Sequence, residues 1–122
     1  MLEVAIDRDS VHAGDDLGSH ATWITLDSSA TLSALIEVIK DSGYLPDING
    51  GKATWIIFSS DKPIGVLAQQ WREPKLTVPA ESIVDQFFGN TKSRLLFRYW
   101  CQADPDQVFS HIKAGKEPPS RF

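Results

Sequence analysis

Residues 22–40 read Thr22-Trp23-Ile24-Thr25-Leu26-Asp27-Ser28-Ser29-Ala30-Thr31-Leu32-Ser33-Ala34-Leu35-Ile36-Glu37-Val38-Ile39-Lys40. The stretch changes character halfway. Thr22 to Leu26 is β-branched and aromatic, the composition of a strand. Leu32, Leu35, Ile36 and Ile39 then recur at i, i+3, i+4 and i+7, which gathers them into one stripe on a helix over residues 31–42. Ser28 or Ser29 is placed to cap its amino end, and Lys40 complements the dipole of its last turn. Gly43 can take the left-handed conformation that stops it.

Upstream, Leu2, Val4 and Ile6 alternate with Glu3, Ala5 and Asp7, the period-two pattern of a half-buried strand. Residues 7–20 are polar, with Gly14 and Gly18, so the two strands form a hairpin with an enlarged tip. Downstream, Pro46 and Asn49-Gly50-Gly51 mark a loop. Ala53 to Phe58 is short, continuous and apolar, a central strand that Ser60-Asp61-Lys62-Pro63 turns back into Ile64–Ala68. Gln69 to Val78 is polar. Pro79 can open a short helix carrying Ile83, Val84, Phe87 and Phe88, stopped by Gly89. Arg94 to Cys101 reads as another strand. Asp104-Pro105-Asp106-Gln107 supplies a capping side chain and a proline at the first helical position of a last helix. Val108, Phe109 and Ile112 form its buried side and Gly115 ends it, leaving 116–122 as a loose tail. No repeat or linker interrupts the chain, so 1–122 is read as one domain.

This is an α+β order. Its first five elements resemble the ubiquitin-like β-grasp, a mixed sheet with a crossing helix, here with a C-terminal helix-strand-helix extension. The helix is expected to set Leu35 and Ile39 against Trp55 and Ile57.

Composition narrows the function. Hydrophobic residues make up 42% of the 122 and charged residues 23%, the balance of an ordered globular chain. The single cysteine, Cys101, excludes an intramolecular disulfide and any site of several thiolates, and its apolar surroundings predict a buried thiol. Neither a signal peptide nor a bilayer-spanning run is legible, so a cytoplasmic protein without a membrane partner is expected. Charge is uneven. Residues 1–50 hold nine Asp or Glu against Arg8 and Lys40, a net of −7, and residues 51–122 hold seven against ten, a net of +3. An acidic front half disfavours nucleic acid as partner and favours a basic protein.

The loop of residues 7–20 gathers Asp7, Asp9, Asp15 and Asp16 with His12 and His20. Hard cations want oxygen ligands, and borderline metals accept imidazole with carboxylate. The spacing matches no calcium loop, since the sixth-position glycine and the terminal glutamate are missing. No metal, cofactor or catalytic residue is therefore assigned, and Asp9, His12, Asp15, Asp16 and His20 are read as a docking surface. Trp71, beside Arg72 in a polar stretch, either covers a core edge or anchors a partner, because Trp and Arg are enriched at binding hot spots. Gly50-Gly51-Lys52-Ala53-Thr54 is not a phosphate loop: Pro46 stands where a glycine is needed, Ala53 where a hydroxyl is needed, and a strand follows instead of a helix. The other function class that stays open is an enzyme, a small metal-assisted hydrolase built on His12, His20 and the neighbouring aspartates.

Taken with Gly50-Gly51-Lys52-Ala53-Thr54-Trp55 and Gln69-Gln70-Trp71-Arg72-Glu73-Pro74, the string Asp7-Arg8-Asp9-Ser10-Val11-His12-Ala13-Gly14-Asp15-Asp16 resembles the small cytoplasmic immunity proteins of bacterial contact-dependent (polymorphic) toxin systems. That resemblance implies an acidic, non-enzymatic protein that caps a toxin domain, commonly a basic nuclease. The β-grasp likeness also raises the possibility of a sulfur carrier. Such carriers end in Gly-Gly, whereas this chain ends Pro119-Ser120-Arg121-Phe122 and has its Gly-Gly pair inside, at Gly50-Gly51.

Overall fold

The computed structural model describes residues 1–10, 20–46, 48, 50–89 and 93–120. Among the described residues, six strands and three helices follow one another as β1 (Leu2–Arg8), β2 (Thr22–Leu26), α1 (Leu32–Asp41), β3 (Thr54–Ser59), β4 (Lys62–Ala68), β5 (Lys75–Leu76), α2 (Val84–Phe88), β6 (Arg94–Tyr99) and α3 (Pro105–Lys113). The strands form one mixed sheet in the order β2-β1-β6-β3-β4-β5. β1 runs parallel to β6, and every other neighbouring pair is antiparallel.

The α+β reading holds, with a helix crossing the sheet and two more helices toward the C-terminal end. The α1 stripe predicted from its spacing is fully buried: Leu32, Leu35, Ile36 and Ile39 share one core with Val4, Ile6, Trp55, Ile57, Leu95 and Phe97. Leu35 and Ile39 thus lie in the same cluster as Trp55 and Ile57, as expected. Burying each such side chain stabilises the fold by about 1.5–3 kcal/mol.

Period-two alternation sends the intervening residues to the other face of the sheet. There Ile56 of β3 and Val66 of β4 are buried under Val108 and Ile112 of α3, with Phe58, Trp71, Trp100 and Phe109 packed around them. The result is three layers: α1 and α2, the sheet, and α3. Asp104 caps α3 by accepting from the Asp106 N–H at 3.0 Å, with Pro105 in the first turn, as its sequence predicts.

Four local readings change. The cap of α1 is Thr31, whose hydroxyl accepts from the Ala34 N–H at 3.1 Å, and not Ser28 or Ser29. Residues 31–33 pair with 80–83 through a Thr31–Ile83 bridge and the Leu32 N–H to Ser82 carbonyl bond of 2.8 Å, which holds the chain extended past the serines. α2 begins at Val84, because Pro79 heads a turn closed by the Ser82 N–H. A two-residue strand, β5, lies within the segment read as loop. Cys101 is half-buried in a turn with φ 58°, beyond the end of β6.

Residues 117–119 lie against this second face. The Trp100 indole N–H donates to the Pro119 carbonyl at 2.7 Å, and the His111 ring nitrogen Nδ1 sits 3.0 Å from the Glu117 carbonyl oxygen. Residues 121–122 of the expected tail lie outside the described residues.

Candidate binding surface

α3 packs over β3 and β4 and leaves the other half of that sheet face uncovered among the described residues. Residues directly opposite in a ladder share a face. Ala5 pairs with Trp23 and Arg94, Glu3 with Thr25, and Asp7 with Leu96. These side chains therefore stand together on the open half, where neither β1 nor β2 offers the aliphatic stripe that α3 needs. Trp23 is 66% exposed, a large aromatic left in water. A cleft of about 500 Å³ is lined there by Glu3, Ala5, Asp7, Thr22, Trp23 and Arg94. Its chemistry is an indole face, two carboxylates and a guanidinium, suited to an extended or flat polar partner.

The loop of residues 7–20 leaves from the end of this surface, and its described ends are tied down. The Asp9 carboxylate accepts from Arg98 Nε at 2.9 Å and from the Tyr99 N–H at 3.0 Å, so it pins the start of the loop to β6. Across the loop base, Ser10 Oγ lies 3.0 Å from His20 Nε2. The Tyr44 hydroxyl donates to the His20 carbonyl, and the Arg8 guanidinium stands 5.6 Å from the centre of the Tyr44 ring. Burial, reinforced by the Asp7 charge and opposed by Arg8, pushes the Tyr44 phenol up to about 12. It remains a protonated donor throughout the ordinary pH range. His12, Asp15 and Asp16 lie outside the described residues.

Trp71 and Arg72 belong to a different region, beside α3. Trp71 is half-buried against the Ile56–Val66–Val108 cluster, with Lys75 Nζ 4.9 Å above its ring. Lys40, at the end of α1, donates to the Trp71 and Arg72 carbonyls and straps this segment to the helix. The Arg72 side chain is exposed. The described candidates thus lie in two places: Asp9 and His20 at the loop base, Trp71 and Arg72 near α3.

Trp23 was not singled out by sequence reasoning. The signal was present in the alternation of Trp23 with Ile24 and Leu26, which sets it on the face where β1 carries Glu3 and Asp7. Among the described residues no three His, Cys, Asp or Glu side chains are grouped to hold a metal ion. No described helix is long and apolar enough to cross a membrane. The chain matches no protein-family model, no curated protein and no solved structure.

Proposed function

We propose that this protein is a non-enzymatic binding module on a ubiquitin-like β-grasp, and that it neutralises a basic toxin domain by covering it. Support for the grasp comes from the order β2-β1-β6-β3-β4, with the first strand parallel to the last and one helix laid across. The observation that carries the binding reading is Trp23, exposed beside Glu3 and Asp7 on the uncovered half of the sheet. Trp is a favoured interface anchor because its rigid indole buries much area for little lost entropy. Glu3 and Asp7 stand beside the indole, and the net −7 of residues 1–50 favours a basic partner.

The test is complex formation with a candidate basic toxin domain, sought first in the reading frames adjacent to this one. Trp23→Ala should weaken the complex by about tenfold or more, while leaving the melting temperature nearly unchanged because the ring is solvated. Failure to form any complex with that domain would remove the reading. An enzyme of another kind on the same 7–20 loop, a serine hydrolase in place of the metal-assisted one, draws its one supporting observation from Ser10 and His20, a hydroxyl within hydrogen-bond reach of an imidazole. A fluorophosphonate probe that labelled Ser10 would favour that alternative.

A further inference from the structure

We infer that the partner joins the sheet, an extended lysine- or arginine-bearing segment pairing along the outer edge of β2 as a seventh strand. This rests on the protein-binding reading above and specifies how that surface is used. The two edges of the sheet are built differently. The β5 edge is two residues long and follows directly on Pro74. It bears Lys75, whose ammonium is held by Asp106 and lies over Trp71. Shortness, proline and an edge lysine are the devices that stop a strand from recruiting another.

β2 has none of them. Its five residues, Thr22-Trp23-Ile24-Thr25-Leu26, contain no charge, proline or glycine, and its register with β1 runs without a bulge from Leu2–Leu26 to Ile6–Thr22. Among the described residues no strand pairs with its outer side. The backbone donors and acceptors along that side need partners, and a β-branched, uncharged strand is the sequence most able to take them from another chain.

Charge decides what that other chain carries. A second copy would bring two front halves of −7 together, with Asp27 directly after β2 on each. The Asp27 carboxyl is held below its usual range by its hydrogen bonds from Ser29, so it stays ionised. A basic segment meets the opposite situation. Its side chains on the open face would fall beside Trp23 and Thr25, where a cation can lie over the indole and reach toward Glu3. Its alternate side chains would meet Thr22, Ile24 and Leu26, which suit β-branched apolar residues. The preferred pattern is therefore basic and aliphatic residues in alternation.

The experiment uses the whole isotope-labelled protein, with amide resonances followed by NMR during titration. The probes are a capped octapeptide alternating lysine and valine, its glutamate–valine counterpart, and the lysine peptide N-methylated at two consecutive central residues. The expected result is saturable shifts of the Thr22–Leu26 amides and the Trp23 indole N–H with the lysine peptide, weakened about tenfold or more by either change. Equal binding of the glutamate or the N-methylated peptide would overturn the inference. So would concentration-dependent self-association through β2, which assigns the edge to a second copy. Lysine-peptide shifts that avoid β2 would overturn strand addition while leaving a basic partner standing. The absence of shifts with every probe would overturn the edge assignment, whereas complex formation with the toxin domain decides the underlying reading separately.

Discussion

Gly65 stands in β4 opposite Leu76 of β5, and a Cβ built there would lie 2.5 Å from Leu76 Cδ2 and 2.7 Å from the Lys75 carbonyl oxygen. The leucine methyl can rotate away; the carbonyl belongs to the ladder and cannot. Ordinary contact begins near 3.4 Å, so Gly65→Ala must push β5 outward by about 0.7 Å, the difference of 3.4 and 2.7. That shift would stretch the Thr77 N–H to Ile64 carbonyl bond from 2.8 Å to about 3.5 Å, beyond useful range. Losing the two or three bonds of this short pairing costs about 1 kcal/mol each. Alanine recovers roughly 0.5–1 kcal/mol over glycine within a strand. The net loss should be about 1–2.5 kcal/mol, read as a lower urea midpoint at unchanged slope. A double-mutant cycle isolates the cause. In a Leu76→Ala background the methyl clash is gone, yet Gly65→Ala should remain destabilising because the Lys75 carbonyl is still in the way. A neutral or stabilising effect there would show that only a flexible side chain was in contact, and the backbone argument would fail.

Leu35→Ala should cost about 2–5 kcal/mol, since Leu35 is fully buried at the centre of the α1 stripe; a loss below half a kilocalorie in the same urea assay would contradict the packing. The Tyr44 phenol, raised in the fold to about 12 from its ordinary 10, favours folding fully below pH 10, and that contribution is lost as pH rises toward 12. Tyr44→Phe should flatten the fall in stability across that window, as alkaline unfolding scans will reveal. Phenolate absorbance should also rise only above the ordinary range, because burial raises Tyr99 as well and the chain has two tyrosines. If the proposed toxin-binding role holds, replacing Asp15 and Asp16 together by Asn should slow association with that partner severalfold at low salt, with the deficit shrinking as salt is added; a stopped-flow rate unmoved by the double change would take these residues out of the encounter.

The elements that local chemistry specifies were legible. α3 announces itself through Asp104-Pro105 and its apolar spacing, α1 through four residues on one stripe, β1 through strict alternation. What distant residues decide was not. The cap moves to Thr31 because residues 80–83 pair with 31–33. β5 is a strand because Gly65 lets Leu76 approach. At the loop, charge was visible but its engagement was not, since Asp9 is bound to Arg98 and Tyr99, far along the chain. Trp71 could be read as cover or as anchor, and its half-burial depends on where α3 docks. Trp23 is the reverse case. Its face follows from alternation, but its exposure follows from the absence of α3 over β1 and β2, which no local pattern states.

The parallel pairing of β1 with β6 has a consequence for biosynthesis. β6 is the seam of the sheet: on one side it holds β1, on the other β3, and without it the other five strands separate into β2-β1 and β3-β4-β5. On the ribosome, Ala5 emerges long before its partner Arg94. At 5–20 residues per second the wait lasts roughly 4–18 seconds. Until β6 joins, the nascent hairpin has two open edges, and its apolar face of Val4, Ile6, Ile24 and Leu26 depends for cover on α1 and, later, α2. A released chain that ends at Ser93 should therefore be retained by a holdase chaperone, and one that ends six residues later, at Tyr99, should begin to escape it.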